Sequence, residues 1–311
     1  MIVLSQLGPP LEQAVRQRFD DVEVIAVPAL EPVPDGVRGD VLVALPAARR
    51  ELPVLEQLDD LGVRWIHLSS TGIDPYPLEL LRGRLVTCSR GVSGVPIAEF
   101  TLAAMLAFEK RLPDVWATGP PEHWAWAQLG ALDGHTLGLV GLGGIGVEVA
   151  RRALAFGMRV VAVRRTNRPS PLDGVEVLTA LDDLLPQADH LVITAPATAA
   201  TRHVLDARAL SLAKPGVHVV NVSRGSLVDQ DALRDALDDG RVAMASLDVA
   251  EPEPVPAGHW LYAHPKVRLS PHVSWSSPRL LDGMTEYFVA NLERFRAGES
   301  LKGVIDVDEG Y

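Results

Sequence analysis

The chain has 311 residues, 47% of them hydrophobic, and a formal net charge of −11 at pH 7. The length favours two domains with sizeable cores, and the acidic balance argues against a nucleic-acid partner, which would need clustered lysine and arginine. Cys88 is the single cysteine, so an internal disulfide is excluded and a reducing cytoplasm is expected, and the absence of a long apolar run or a basic leader excludes a membrane partner.

Strand-like and helix-like segments alternate along the chain, which predicts parallel sheets covered by helices. Helices are predicted at 9–19 and 52–61. The strands predicted in the first section are residues 2–6, 22–27, 40–45, 64–69 and 84–89. A long apolar helix is predicted from residue 93, with a proline in its first turn and Pro113 beyond its end.

A second alternating unit follows this helix. Its predicted strands are residues 135–141, 159–163, 190–195, 217–223, 242–249 and 267–273. Another long helix is predicted within 276–298. Because a long helix stands on either side of the second unit, we predict an inserted domain at 97–272. Residues 1–96 and 273–311 then form the other domain.

A glycine-rich segment, "GLGGIG", follows the first strand of the second unit and opens a helix. Gly141, Gly143 and Gly146 have G-x-G-x-x-G spacing, with Gly144 and Ile145 between them. In this context the pattern predicts a dinucleotide site, with the pyrophosphate at the helix N-terminus. The alternative is a structural turn, since glycine-rich turns are common in α/β proteins.

The next strand of this unit ends at Arg164, Arg165 and Thr166. A site for NAD carries an acid near this position, to bind the ribose 2′-hydroxyl. Guanidinium groups pair instead with a 2′-phosphate. We therefore expect a preference for NADP(H), with NAD(H) possible. The alternative is a pair of solvated surface arginines.

Polar residues follow three further strands, at Arg224, Glu253 and His272. Ligands of open α/β sheets bind outside the carboxyl ends of the strands. There a guanidinium can hold a carboxylate, a histidine can donate a proton, and a carboxylate can stabilise the charged imidazole. Other interpretations remain: Arg224 as a loop cation, His272 as a structural histidine, and Glu251 as an acid equally plausible by composition.

Several segments together resemble the D-isomer-specific 2-hydroxyacid dehydrogenases, over nearly the whole chain. They are "RGVSGVPIAEFTLAAMLA", "GLVGLGGIG", "VNVSRGSLVDQDAL", "ASLDVAEPEPVP" and "VRLSPHVSW". The resemblance implies two Rossmann-like, doubly wound parallel-sheet domains of the α/β class. The cofactor domain is inserted into a flavodoxin-like substrate domain. Within the family, the chain most resembles the glyoxylate/hydroxypyruvate reductases, and it is expected to be a homodimer without a metal.

The resemblance also implies roles for individual residues. Arg224 would bind the substrate carboxylate, His272 would be the general acid, and Glu253 rather than Glu251 would be its partner. Asp248 would lie near the nicotinamide carboxamide. The remaining implied cofactor contacts are Ala195, Pro196 and Val222. The backbone at Thr71, Gly72 and Ile73 would help to hold the substrate, in a cleft between the domains.

The chain departs from the family pattern at several positions. Trp275 and Ser274 replace small residues after the histidine, so Trp275 is expected to wall the substrate pocket and change the accepted size. Bulkier 2-oxoacids are therefore an alternative to glyoxylate and hydroxypyruvate. A non-catalytic NAD(P)H-sensing protein is a second alternative, because such proteins retain the same triad. Thr71 stands where phosphite enzymes carry lysine, which argues against phosphite.

Overall fold

A computed structural model of the chain describes residues 1–45, 52–73, 76–120, 124–166 and 168–308. Two compact units are present. The split unit consists of Met1–Ser93 and Ser277–Tyr311, and the continuous unit consists of Gly94–Ser276. The domain boundaries predicted from the sequence lie after residues 96 and 272, and the observed units divide after residues 93 and 276. Which unit takes cofactor and which takes substrate stays a prediction at this point.

Twelve strands lie within the described residues. They are β1 (Ile2–Ser5), β2 (Glu23–Ala26), β3 (Val41–Ala44), β4 (Trp65–Leu68), β5 (Leu85–Cys88), β6 (Thr136–Val140), β7 (Arg159–Val163), β8 (Val175–Leu178), β9 (His190–Ile193), β10 (Val217–Asn221), β11 (Val242–Leu247) and β12 (Val267–Leu269). Most are short runs rich in valine, isoleucine and leucine. Such runs suit parallel strands that are buried on both faces.

The α-helices of the described residues vary from one turn to almost five. They are α1 (Pro9–Arg18), α2 (Pro53–Glu56), α3 (Leu58–Leu61), α4 (Leu78–Leu81), α5 (Gly94–Glu109), α6 (Gly144–Ala155), α7 (Leu181–Leu184), α8 (Ala207–Leu212), α9 (Gln230–Asp238), α10 (Trp260–Ala263) and α11 (Leu280–Arg296). No helix among the described residues combines the length and apolarity needed to cross a bilayer.

The split unit contains a five-stranded sheet in the order β2-β1-β3-β4-β5, with every pair parallel. This is the flavodoxin-like order. Helix α11 returns the end of the chain to this unit and places Phe288 against Trp65, with ring centroids 5.4 Å apart. Both side chains are fully buried. The indole of Trp65 also donates a hydrogen bond of 2.8 Å to Thr87.

The continuous unit contains a seven-stranded parallel sheet in the order β12-β11-β10-β9-β6-β7-β8. Its strand order reverses at β6, as in doubly wound nucleotide-binding folds. The predicted fold class, two parallel-sheet α/β domains, is therefore confirmed. The sequence analysis missed the edge strand β8, whose residues are only partly buried.

One predicted helix differs from the structure. Residues 52–61 were expected to form a single helix but form α2 and α3, which are separated at Gln57. The Gln57 side chain accepts a 2.7 Å hydrogen bond from the Val33 amide and donates one of 3.0 Å to the Val33 carbonyl. This contact with a distant loop coincides with the interruption, and helical periodicity alone cannot reveal it.

Candidate active site

The residues predicted to carry chemistry in the continuous unit follow the carboxyl ends of its strands. Gly141 follows β6, Arg164 follows β7, and Asp248 follows β11. Arg224 lies three residues beyond β10, and His272 lies three residues beyond β12. Because all seven strands run parallel, these positions share one edge of the sheet. This edge is where open α/β sheets bind ligands.

The glycine loop has no room for side chains at two of its three positions. Gly141 has φ 106°, and a Cβ there would lie 2.6 Å from the Ala195 amide nitrogen. A Cβ on Gly146 would lie 2.5 Å from the Gly141 carbonyl oxygen. Gly143, in contrast, caps α6 and faces open space. The loop therefore leaves the N-terminus of α6 open to an approaching pyrophosphate.

The end of β7 lies directly beside this loop. The Gly141 amide donates a 2.9 Å hydrogen bond to the carbonyl of Val163, the residue before Arg164. Arg164 itself donates to the Pro169 carbonyl at 3.2 Å, while Arg165 is exposed. No acid occupies positions 164–166. The position that would bind an adenosine ribose is thus basic.

Three further predicted cofactor contacts, Ala195, Pro196 and Val222, lie at the same edge of the sheet. Ala195 is buried against Gly141, and its carbonyl accepts a hydrogen bond from Ser223. Val222 is also buried. The carbonyl of Pro196 accepts a 2.7 Å hydrogen bond from Thr201. These contacts fix the backbone beside the glycine loop.

Arg224 is held in a tight turn that requires the glycine after it. A Cβ on Gly225 would lie 2.0 Å from the carbonyl carbon of Ala250 and 2.5 Å from the Glu251 amide nitrogen. Arg224 is partly buried, and its Nη1 donates 2.7 Å to the carbonyl of Ser223. Gly225 was not among the predicted site residues, although the glycine directly after an arginine at the end of an apolar strand was the available signal.

Glu253 and His272 are brought together by two loops of the continuous unit. His272 Nδ1 lies 2.9 Å from Glu253 Oε2. The other carboxylate oxygen of Glu253 accepts a 3.1 Å hydrogen bond from the Ala250 amide. Because an ionised carboxylate only accepts hydrogen bonds, this contact fixes the proton on Nδ1. His272 Nε2 is then the nitrogen that can exchange a proton with a ligand.

Glu251, the acid that composition could not separate from Glu253, has different partners. Its carboxylate forms a two-bond ion pair with Arg202, at 3.0 and 3.1 Å. Its backbone is held on both sides by Gln230, which donates to the Glu251 carbonyl at 2.5 Å and accepts from its amide at 3.1 Å. Arg202 and Gln230 therefore hold Glu251 away from the histidine, and Glu253 contacts it.

Asp248 binds the loop that carries His272. Its buried carboxylate accepts hydrogen bonds from Ser270 Oγ at 2.6 Å and from the amides of Val273 and Ser274 at 2.9 Å each. Its own carbonyl accepts from the His272 amide at 2.8 Å. The sequence analysis did not foresee this function, and a contact with nicotinamide stays a prediction.

This anchoring holds His272 in an unusual backbone conformation. Its φ is 55°, a region that residues other than glycine adopt rarely and at a cost of about 1–3 kcal/mol. On the far side of the turn, the indole of Trp275 donates a 2.8 Å hydrogen bond to the His272 carbonyl. Trp275 is 42% exposed, so it stands beside the histidine with an open face.

The predicted substrate loop lies in the split unit, after β4. Thr71 donates a 3.1 Å hydrogen bond to the Ser89 carbonyl, and the Gly72 carbonyl accepts one of 2.8 Å from Ser70. Ile73 is buried. The next two residues of this segment, 74 and 75, lie outside the described residues. A role of Thr71, Gly72 and Ile73 in substrate binding stays a prediction.

Comparison with known proteins agrees with this geometry. A family model described as "D-isomer specific 2-hydroxyacid dehydrogenase, NAD binding domain" matches residues 102–274, more than half of the chain. The chain belongs to this family. The family consists of NAD(P)-dependent oxidoreductases, so the protein is an enzyme of this type, and the match to the NAD-binding domain lies within the continuous unit.

Individual relatives extend the likeness beyond that domain. A glyoxylate reductase of Thermococcus litoralis is 32% identical over 282 residues, covering 86% of this chain and 84% of the relative. A glyoxylate reductase of Thermococcus gammatolerans is 34% identical over 272 residues, or 84% of this chain and 80% of that protein. A family member of Xanthobacter autotrophicus Py2, solved with NADPH and MES, superimposes with a TM-score of 0.81 at 25% identity, covering 100% and 99% of the two chains.

Proposed function

We propose that the protein is an NADP(H)-preferring 2-oxoacid reductase that acts on glyoxylate or hydroxypyruvate. The observation that carries the proposal is the 2.9 Å contact between Glu253 and His272, at the sheet edge that also carries the glycine loop and Arg224. When bound, the nicotinamide supplies a hydride to C2 of the 2-oxoacid. The carbonyl becomes a hydroxyl, and its oxygen needs one proton.

His272 supplies that proton from Nε2, the ring nitrogen that faces away from Glu253. Glu253 accepts the hydrogen bond from Nδ1, fixes the tautomer, and stabilises the protonated imidazole by its charge. After the proton has left, the histidine is neutral and is recharged from water. General acid catalysis of this kind contributes about 10²–10⁴-fold to a rate.

Arg224 binds the carboxylate of the substrate. A guanidinium offers two parallel N–H donors that match a carboxylate, and its charge polarises the neighbouring carbonyl. The turn at Gly225 restricts where the arginine backbone can lie, which favours one orientation of the bound acid. Lysine at this position would keep the charge but lose the paired donors.

The preference for NADP(H) is supported by Arg164, Arg165 and Thr166 at the end of β7. Their backbone adjoins the glycine loop, and no carboxylate is present at these positions to repel a 2′-phosphate. The Xanthobacter relative, which was solved with NADPH, adds support. Glyoxylate or hydroxypyruvate is favoured by the names of the Thermococcus relatives.

The substrate is tested by following the absorbance of NADPH against glyoxylate, hydroxypyruvate, pyruvate, phenylpyruvate and 2-ketoisocaproate, with NADH in parallel. Highest kcat/KM for glyoxylate and hydroxypyruvate with NADPH is the expected result. Preference for the bulky acids would keep the chemistry but refute the substrate. Cofactor binding without turnover of any acid would refute the reductase and favour a sensing protein.

The catalytic pair is tested with two matched variants. Glu253→Gln should lower kcat by about 10²-fold or more, because the imidazole loses the charge that stabilises its protonated form. Glu251→Gln removes an equal charge two residues away, from a solvent-exposed ion pair of small energetic value, and should leave kcat within a few-fold. Equal losses in the two variants would refute the assignment of Glu253.

The cofactor preference is tested with the double variant Arg164→Ser/Arg165→Ser. Each lost charged hydrogen bond to a 2′-phosphate is worth about 1.5–3 kcal/mol, so the KM for NADPH should rise at least about tenfold. The KM for NADH should stay unchanged. Arg159→Ser, at the other end of β7, is the control. An unchanged KM for NADPH in the double variant would identify these arginines as ordinary surface residues.

We also propose that the protein forms a homodimer. Trp116, Trp124 and Trp126 are 68%, 82% and 75% exposed. Large exposed aromatic side chains are unfavourable in water and are enriched in protein interfaces. The contribution of residues 121–123 lies outside the described part of the chain. Light scattering after size-exclusion chromatography measures the mass directly, and a monomer at micromolar concentration would refute the proposal.

A further inference from the structure

A second cluster of ionisable side chains lies in the continuous unit, far along the strands from the candidate active site. Glu109 is the last residue of α5, His135 directly precedes β6, and His190 is the first residue of β9. The glycine loop follows the opposite end of β6. The cluster therefore lies at the amino end of the sheet and has no part in the chemistry proposed above.

The ligand atoms of the three residues are close to one another. Glu109 Oε1 lies 3.0 Å from His190 Nε2 and 3.3 Å from His135 Nδ1, and one ligand atom from each residue lies within 4.8 Å of the others. A tetrahedral zinc ion with bonds of about 2.0–2.1 Å separates its ligand atoms by about 3.3 Å. Two of the three separations thus already suit a metal, and the third, between the two histidine nitrogens, is within 4.8 Å.

His135 has an orphaned atom at this site. Its Nδ1 is buried and has no hydrogen-bond partner among the described residues, although it points towards Glu109. The rest of its side chain is 40% exposed, so the ring can move. A buried nitrogen whose contact with a carboxylate, at 3.3 Å, lacks hydrogen-bond geometry is poorly satisfied, and a metal ion would bind it directly. The exposed side also offers a path for the ion and for a water ligand.

His190 is arranged as metal-binding histidines usually are. Its Nε2 faces Glu109, and its Nδ1 lies 3.1 Å from Nδ1 of His218, whose Nε2 lies 2.9 Å from Ser246 Oγ. A hydrogen bond at the ring nitrogen that does not bind the metal, here Nδ1, fixes the orientation of the ring and its tautomer. In the metal-free cluster Nε2 donates to the Glu109 carboxylate, so a metal that binds Nε2 replaces that proton.

The carboxylate of Glu109 also suits a cation. Its side chain is only 6% exposed. A buried carboxylate needs a compensating positive charge or a proton. Two imidazoles and one carboxylate favour zinc or a similar transition metal over calcium or magnesium, which prefer oxygen ligands.

We propose that Glu109, His135 and His190 bind a single Zn²⁺ ion, with water as the fourth ligand. The ion would link the end of α5 to the starts of β6 and β9. Its role is to stabilise the dinucleotide-binding domain, because the ligands lie at the end of the sheet opposite to the glycine loop.

The experiment uses the full chain after dialysis against a chelator. Calorimetric titration with Zn²⁺ should show one site, and Zn²⁺ should raise the melting temperature. Co²⁺ should give the strong visible absorption of a four-coordinate site. No heat, no thermal shift and no absorption would overturn the proposal and leave a hydrogen-bonded cluster only.

Two ligand variants and one control locate the site. Glu109→Gln and His135→Ala should each raise the Kd for Zn²⁺ by more than about tenfold. A tenfold loss of affinity is the lower limit seen when a residue that only hydrogen-bonds to a metal ligand is replaced. His203→Ala is the control, since His203 is 39% exposed and lies 3.9–4.0 Å from two carboxylates. Binding that survives both ligand variants, or is lost in the control, would overturn the proposal.

Discussion

Replacing Asp248 by asparagine keeps the shape of the side chain but turns one of its acceptor oxygens into a donor. In the parent protein, one oxygen accepts from Ser270 Oγ and the Val273 amide, and the other accepts from the Ser274 amide. Asparagine can keep the first two hydrogen bonds. Its NH₂ group must then face the buried N–H of Ser274, and two donors cannot bond to each other.

The magnitude follows from this loss. A hydrogen bond to a charged group is worth about 1.5–3 kcal/mol, and a donor left buried without a partner costs about 1–3 kcal/mol. These two energies partly describe the same loss and cannot be added in full. We therefore expect Asp248→Asn to lower the free energy of unfolding by about 2–4 kcal/mol. The turn also holds His272 at a φ of 55°. A shift of about 1 Å in a catalytic group can lower the rate about 10²-fold.

Two measurements check the reasoning: denaturant unfolding, and the kcat and KM for NADPH with the preferred 2-oxoacid. If Asp248 acts through the position of His272, kcat should fall strongly while the KM for NADPH stays within a few-fold. If it acts mainly by contacting nicotinamide, the KM for NADPH should rise instead. Asp229→Ala, which removes the cap of α9, is the control for stability and should cost about 1 kcal/mol without lowering kcat. Parent-like stability and kcat in Asp248→Asn would refute the anchoring function.

Three further variants probe other parts of the molecule. Gly225→Ala places a Cβ 2.0 Å from the Ala250 carbonyl carbon, so we expect a loss of about 1–3 kcal/mol and a lower kcat, measured by unfolding and steady-state kinetics. An unaffected enzyme would show that the turn can open freely. Burial lowers the pKa of His67 from 6.5 to about 3, so the unfolded chain binds a proton that the folded chain does not, and stability falls as the pH drops below about 6.5. His67→Gln should remove a slope of about 1.4 kcal/mol per pH unit from urea titrations between pH 6 and 4, and an unchanged slope would contradict this. Trp124→Ser/Trp126→Ser should shift the mass from dimer to monomer in light scattering, whereas a retained dimer would place the interface elsewhere.

The sequence predicted those features that depend on local backbone demands. The glycine loop is an example, because Gly141 and Gly146 are required by contacts within one strand–turn–helix segment and at the neighbouring strand end. The parallel sheets were predictable for a similar reason, since strands buried on both faces form apolar runs. The edge strand β8 was missed because none of its residues is fully buried and Glu176 interrupts its apolar run. The interruption at Gln57 was missed because the residue that contacts Gln57 there, Val33, is distant in sequence.

Contacts that are distant in sequence also explain why the two acids after β11 could not be assigned from composition. Glu251 and Glu253 stand in one proline-rich turn and have equal charge, and their partners lie elsewhere in the chain: Arg202 for Glu251 and His272 for Glu253. Removal of Arg202 would not transfer Glu251 to the histidine, because Gln230 holds the Glu251 backbone through its amide and its carbonyl. Which carboxylate contacts His272 is therefore set by two anchors on the backbone, Gln230 for the turn after β11 and Asp248 for the turn after β12. Neither anchor needs to touch the substrate to decide which carboxylate meets the imidazole.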